Sequence, residues 1–560
     1  MKVLLVAINS KYTHTSLAVR TLWANGGECE FCEYTINEKT EKVVSGVFEK
    51  APDIVCFSCY IWNIEYVLKA AGDIKSTLPN IKIVLGGPEV TFSSKTVLEN
   101  NAFVDAVIKG EGEEIFKKLC DNGFDFENTE AVTYRNNGSV TENDGFGYVK
   151  NLDSLNFAYT DDDLEKNSDK LIYYETSRGC PYNCSYCLSS TVHSVRFKSI
   201  DKVKRELDVI MKYKPKTLKF VDRTFNSGNE RTYELIKYII ENGDGMSFHF
   251  EIAAHTLTDK LINLINSAPE GMLLLEVGLQ STNEQTINAI GRVTNYERLL
   301  TNVKRITDVG RAHVHLDIIA GLPMEDFKSF KKTFNDAMSL NPDVLQLGFL
   351  KLLKGTRIRN EKEKYSYKFS AHPPYEVISS DCMSYGELLE LKKTEEVLDI
   401  YHASGVFKRT LKFAEGFFPD CYSMFDKISK YFEENGLFDI SLSRRAQYEA
   451  LAKCFGETGG ELFFDILKLD WFTGNKNAST PDWSLDGYSA ELHKMRVEII
   501  NENRDLFGSA PVGELLKRIH LEIFRHDVLS DNSRRKTIIA FDKNASVIGE
   551  IKLPQNMAKI

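Results

Sequence analysis

A chain of 560 residues with 42% apolar and 27% charged residues has the length for several domains and the make-up of a soluble globular protein. Its net charge of −10 argues against a generally basic nucleic-acid surface, no apolar run is long enough to span a bilayer, and the run Val3–Ile8 is too short for a signal-peptide core. Eleven cysteines in that setting point to a reducing cytoplasm rather than a disulfide framework.

Residues 1–120 alternate short apolar runs with amphipathic segments. Val3–Ile8, Phe31–Ile36, Asp53–Ser58, Ile81–Leu85 and Val104–Ile108 read as strands, and Leu17–Ala24 and Ile64–Thr77 as helices. The pattern predicts an α/β, doubly wound (Rossmann-like) domain whose ligand crevice lies at the carboxyl ends of the strands. The loops there are Asn9-Ser10-Lys11-Tyr12-Thr13-His14, Ser58-Cys59-Tyr60-Ile61-Trp62-Asn63, Gly86-Gly87-Pro88-Glu89 and Gly110-Glu111-Gly112. Paired glycines let backbone approach a large planar ligand. Cys29-x-x-Cys32 and Cys56-x-x-Cys59 imitate a zinc pattern, but strands two and three should flank strand one, which keeps the pairs apart.

The domain resembles the cobalamin-binding module at the N-terminus of many radical S-adenosylmethionine (SAM) enzymes. The resemblance rests on the serine after strand three and the Gly-Gly after strand four, and it implies cofactor contacts from the loops just quoted. It departs at one point. Modules that bind cobalt through histidine carry Asp-x-His-x-x-Gly, whereas Tyr12 and Leu17 flank His14 here. A ligand histidine needs a partner to orient its other nitrogen. The expectation is therefore cobalamin with its base off cobalt and no protein histidine in its place.

Residues 121–165 read as a linker with a small hairpin, Ala131–Tyr134 and Ser139–Thr141 around Asn137-Gly138. The next stretch, Thr176-Ser177-Arg178-Gly179-Cys180-Pro181-Tyr182-Asn183-Cys184-Ser185-Tyr186-Cys187, sets three cysteines on one loop behind a short strand. Three thiolates hold three corners of a 4Fe–4S cluster and leave one iron open, since no fourth cysteine is within loop reach. This loop resembles the signature of the radical SAM superfamily, in which SAM chelates the open iron.

From 166 to 360, strands are predicted at Leu171–Thr176, Thr217–Val221, Ser247–Ile252, Leu273–Gly278, His313–Ile319 and Val344–Phe349, with helices between them. Six βα units fit a partial (βα)6 barrel of the TIM type, with catalytic groups at the carboxyl ends. The resemblance implies SAM contacts from Tyr186, from Asp222 and Arg223, from Glu276, Gln280 and Ser281, and from Asp317, Ile319 and Gly321. His193, His255 and His315 read as structural histidines, with His255 the one to test as an acid or base.

Residues 361–560 are mostly helical by pattern and close on an apparent hairpin, Lys536–Phe541 and Val547–Ile551. In this family such extensions cap the barrel. The layout as a whole resembles cobalamin-binding radical SAM enzymes with a helical C-terminal domain. It implies an electron from reduced flavodoxin or ferredoxin, reductive SAM cleavage to a 5′-deoxyadenosyl radical, hydrogen abstraction, and methyl transfer from methylcobalamin to an unactivated carbon. Alternatives are cyclisation, oxidation or rearrangement with the same cofactors, a cobalamin sensor, and a tRNA-modifying methylthiotransferase. The last carries a second cysteine trio that Cys29, Cys32, Cys56 and Cys59 do not form.

Overall fold

The computed structural model describes residues 1–192, 194–485 and 490–551, so His193 lies outside the described residues. Two compact units emerge, Met1–Pro342 with Leu347–Leu388, and Asp343–Gln346 with Leu389–Ile560. The first unit therefore runs past residue 360, where the barrel was expected to end.

The first unit begins with β1 (Val3–Asn9), β2 (Glu30–Thr35), β3 (Ile54–Ser58), β4 (Lys82–Gly86) and β5 (Ala106–Ile108), all parallel, in the order β2-β1-β3-β4-β5. Every residue of β1 and β3 is buried, as expected of central strands covered on both faces. The helices are α1 (Leu17–Asn25), α2 (Thr40–Lys50), α3 (Ile64–Thr77), the single turn α4 (Pro88–Thr91), α5 (Ser94–Asn100) and α6 (Glu113–Asp121). They divide the apolar residues into one core on each face of the sheet. The hydroxyl of Ser16 caps α1 by accepting from the Val19 amide.

The expected hairpin is present as β6 (Val132–Asn136) and β7 (Ser139–Glu142), but it is not part of a free linker. It pairs antiparallel to β5 and makes the sheet seven-stranded. The physical reason is burial, since Ala131, Val132 and Tyr134 join the core beneath the sheet. The turn residues Asn137 and Gly138 both take positive φ, as a two-residue hairpin requires.

The barrel strand β8 (Leu171–Tyr174) leads into β9 (Ser177–Arg178), which pairs with β10 (Arg196–Phe197) across the cysteine loop. Then follow β11 (Thr217–Phe220), β12 (Ser247–Ile252), β13 (Leu273–Gln280), β14 (His313–Ala320) and β15 (Val344–Phe349). With β8 they form one six-stranded sheet in chain order, β8-β11-β12-β13-β14-β15. Alternate residues such as Leu218, Phe248, Leu275 and Leu316 are buried in apolar packing. The intervening positions carry Lys219, His249, Glu251, Glu276, His315 and Asp317, a charged inner face. β16 (Lys368–Phe369) and β17 (Val377–Ser379) form a short ribbon beyond it.

The second unit is built on helices Cys421–Glu434 and Arg444–Gly474, the latter broken at Gly460. Its sheet has three antiparallel strands, β18 (Ile519–Phe524), β19 (Thr537–Asp542) and β20 (Ser546–Glu550). The expected hairpin is the last two, and β18 was not anticipated. Lys468 and Glu522 form a fully buried ion pair at 2.7 Å beneath it. No helix among the described residues is long and apolar enough to cross a membrane.

Candidate functional site

Within the first unit, the β1–α1 loop reaches the first barrel strand. The Leu171 amide donates to the Thr13 carbonyl at 2.8 Å, and the Thr15 hydroxyl donates to the Leu171 carbonyl at 3.0 Å. Beside this contact lies a cavity of about 710 Å³, a size typical of small-molecule sites. One wall is the carboxyl end of the seven-stranded sheet, with Asn9, Ser10, His14, Ser58, Tyr60, Trp62, Gly86, Gly87, Pro88, Gly110, Glu111 and Gly112. The facing wall is the mouth of the barrel, with Tyr173, Glu175, Ser177, Arg178, Gly179, Val221 and Arg223. A slot continues between the sheet and two helices, lined by Leu5, Cys56 and Val84 below and by Ala18, Val19, Leu22 and Phe116 above.

Gly87 has φ +109°, and a Cβ there would stand 2.5 Å from the Cys59 carbonyl, so only glycine lets these two loops meet. Tyr60 and Trp62 stack at 4.3 Å on the same side. His14 presents Nδ1 to the Tyr173 hydroxyl at 3.0 Å and the Ser10 hydroxyl at 3.4 Å. Burial, with Lys11 and Lys219 adding to it, lowers its pKa and keeps the ring neutral. The closer partner of this nitrogen is thus a barrel tyrosine, with Ser10 of its own loop the more distant one.

Several residues expected to touch cofactor are turned elsewhere. Tyr12 is 72% exposed and sits under the Lys170 ammonium. Cys59 is fully buried in the core, and Asn63 clips its own loop by bonding the Ile8 and Ser58 carbonyls. Glu89 is buried against Lys354 at 2.6 Å and the Tyr375 hydroxyl. Glu111 does line the cavity, but Arg196 and Arg178 occupy its carboxylate at 2.6 and 3.1 Å. Arg178 also pairs with Glu113 and Glu175, each at 2.8 Å. These ion pairs, invisible to local pattern, tie the β5–α6 loop to the residues just before the cysteines.

The cysteine loop is held at both ends. Gly179 has φ +99°, and a Cβ would overlap the Ser194 carbonyl. The Ser185 amide donates to the Ile290 carbonyl, and the Ile358 amide to the Ser185 carbonyl. Cys180, Cys184 and Cys187 are free thiols. Cys180 stands 3.5 Å from the Thr224 hydroxyl, and Arg292 donates to Cys184 Sγ at 3.8 Å and to the Gly278 carbonyl. Burial raises the Cys184 pKa while Arg292 opposes it. Among the described residues no three His, Cys, Asp or Glu side chains converge on one ion. A cuboidal cluster makes no such demand, because its thiolates bind different irons, so the three thiols on this loop are compatible with a cluster. Tyr186 lies on this loop beside Arg292 and Cys184. His255 approaches Tyr182 at 3.3 Å, which places it against the cysteine loop rather than in the cavity.

Asp222 is fully buried and accepts from the Thr176 amide and from the Thr176 and Ser177 hydroxyls at 2.6–2.9 Å. Its carboxylate joins two strand ends and has no face toward a ligand. Burial raises its pKa to about 6. Ser281 is likewise buried and donates to Glu325 at 2.6 Å. Gln280, with φ +70°, is buried, while Ile319 lies on the inner face and the Gly321 carbonyl accepts from the Tyr367 hydroxyl at 2.9 Å. Inside the barrel, Glu276 lies 3.0 Å from Lys219 and 2.9 Å from His249. Burial pushes its pKa up, but those partners win and hold it near 2.

Asp317 behaves oppositely. Burial, then the Glu276 and Glu251 charges, raise its pKa to about 8, against weaker pulls from Lys219 and Arg292. Its neighbour His315 is 3.7 Å away, with a pKa lowered by burial. An acid raised from 3.8 to about 8 keeps its proton in the folded chain and loses it in the unfolded one. Its contribution to stability is complete below its unfolded pKa and is lost as pH rises through the folded one. Asp317→Asn is therefore expected to remove about one proton from the pH dependence of unfolding between roughly pH 5 and 7. Urea denaturation at several pH values checks it. Equal slopes in both proteins would place the titration elsewhere.

A family model for the B12 binding domain matches residues 4–120, one for the radical SAM superfamily matches residues 174–337, and one described as a protein of unknown function, DUF4080, matches residues 363–541. The uncharacterized methyltransferase PH0819 of Pyrococcus horikoshii is 26% identical over 55% of this chain and 68% of its own length. The cobalamin-dependent radical SAM methyltransferase TokK of Streptomyces tokunonensis is 24% identical over 52% of this chain. That match spans 45% of TokK, under half of its length. Among solved structures, the cobalamin-dependent SAM radical enzyme OxsB with aqua-cobalamin and SAM bound aligns with a TM-score of 0.57. The alignment is 13% identical over 92% of this chain and 83% of that one, a likeness of fold.

Proposed function

We propose that this chain, in which a B12-binding domain is joined to a radical SAM domain, is a cobalamin-dependent radical SAM enzyme that methylates an unactivated carbon. The observation that carries the proposal is the one cavity walled by the carboxyl end of the seven-stranded sheet and the mouth of the barrel. When bound, the 4Fe–4S cluster with SAM supplies a carbon radical and cobalamin supplies a methyl group. Cys180, Cys184 and Cys187 would hold the cluster, and the Arg292 guanidinium would balance the thiolate charge at Cys184. The Ser58, Gly86-Gly87-Pro88 and Gly110 loops would hold the corrin, and the apolar slot would receive its nucleotide arm.

Around these groups the protein's own task is placement. Asp222 fixes Thr176 and Ser177 and hence the entry to the cysteine loop. The Arg178 ion pairs keep that loop against the B12-binding domain, so that two donors address one carbon. Glu276 and Asp317, from which SAM contacts are expected, lie on the charged inner barrel face. Electrons come from an external donor, for which reduced flavodoxin or ferredoxin of the cytoplasm is the proposed partner. The C-terminal unit is proposed to shape access to the substrate.

The test uses anaerobically reconstituted enzyme, methyl-labelled SAM, and a metabolite extract from a strain lacking the gene. The expected product carries the label on carbon and gains one CH₂ in mass. One S-adenosylhomocysteine and one 5′-deoxyadenosine should accompany each product. A product with 5′-deoxyadenosine but no label and no S-adenosylhomocysteine would instead make the enzyme a cyclase, oxidase or rearrangement enzyme.

A further inference from the structure

Three arginines line the cavity, and two are already paired. Arg178 is held by Glu111, Glu113 and Glu175, and Arg196 by Glu111. Arg223, the third, is exposed on the cavity wall, and its guanidinium has no ion pair or hydrogen bond among the described residues. Its backbone is well fixed, because Asp222 before it is locked to β9 and the Thr224 hydroxyl donates to the Arg223 carbonyl at 2.7 Å. Its charge acts on Tyr60 of the sheet wall and on Glu251 of the barrel, so it stands where the two walls meet.

A guanidinium tolerates this position while water fills the cavity. Ligands that displace the water leave it desolvated, which is costly without an anion to pair with. Its planar fork matches the two oxygens of a carboxylate. We propose that Arg223 anchors a carboxylate of the substrate, which makes the substrate an organic acid. The proposal rests on the reading that this cavity holds corrin and substrate together. The carboxylate of SAM is the other source of the same chemistry, and the experiment separates the two.

Equilibrium dialysis of cluster- and cobalamin-loaded enzyme against labelled succinate, with and without saturating SAM, provides the test. The expected result is saturable succinate binding that persists with SAM present. Arg223→Gln should weaken it roughly 10-fold or more, the scale of one charge-assisted contact. Arg223→Lys, which keeps the charge but not the fork, should retain part of the affinity, and SAM affinity should change less than about twofold in both. Competition between succinate and SAM, or a loss of SAM affinity in Arg223→Gln, would assign the guanidinium to SAM. Absence of saturable binding in the unaltered enzyme would overturn the anion site. Failure of the underlying reading shows separately, as an unaltered protein that retains no cobalamin or cleaves no SAM.

Discussion

Cys184→Ala is expected to lower bound iron from about four per chain to a small fraction of that and to abolish SAM cleavage. Cys184 is the most buried of the three thiols and the one that Arg292 contacts, so its loss would remove the proposed cluster corner and one of the partners of that guanidinium. The rate of 5′-deoxyadenosine formation should fall by about 10³-fold or more, at least 4 kcal/mol of barrier. Cobalamin content should not change, because none of the slot residues lies on this loop. Iron analysis and chromatography of the nucleoside product check both halves. Full iron and normal cleavage in the variant would remove the loop from the mechanism.

The second large effect belongs to the slot. Ala18 stands on α1 where the slot opens, and a tryptophan there fills space that the nucleotide arm is proposed to occupy. Ala18→Trp should weaken cobalamin binding by roughly 10²-fold or more, near 3 kcal/mol, the cost of forcing extra bulk into packed surroundings. Iron content and SAM binding should persist. Absorption of the reconstituted protein reads cobalamin occupancy directly, and an unchanged occupancy would show that the arm does not enter here.

Local pattern was enough to read the parallel strands of both large sheets and to single out the cysteine loop. β1 and β3 are continuous apolar runs, which only a doubly covered strand explains, and the barrel strands follow at regular spacing. The three cysteines need no tertiary information, because their chemistry lies in their spacing. What escaped the sequence was set at long range. Glu111 looks like a polar loop residue until Arg178 and Arg196 are placed 67 and 85 residues further on. Asp222 has the type and position of a ligand contact, and only its burial under Thr176 and Ser177 shows the other role. The slot was hidden for a different reason. Leu5, Val19, Leu22 and Phe116 are ordinary core residues by pattern, and a lined void reads the same as a filled core. β18 was missed because its six residues follow a helix with no turn signal between them.

β8 is the outermost member of the six-stranded barrel sheet, and the stretch Thr13–Thr15 supplies the partners for Leu171 on its free side. Those contacts close over a loop of more than 150 residues. A barrel cut loose from residues 1–120 would expose the backbone donor and acceptor of Leu171 at the margin of an otherwise well-formed sheet. Bare strand margins recruit other chains. On this argument the β1–α1 loop would shield this margin of the barrel from pairing with another chain.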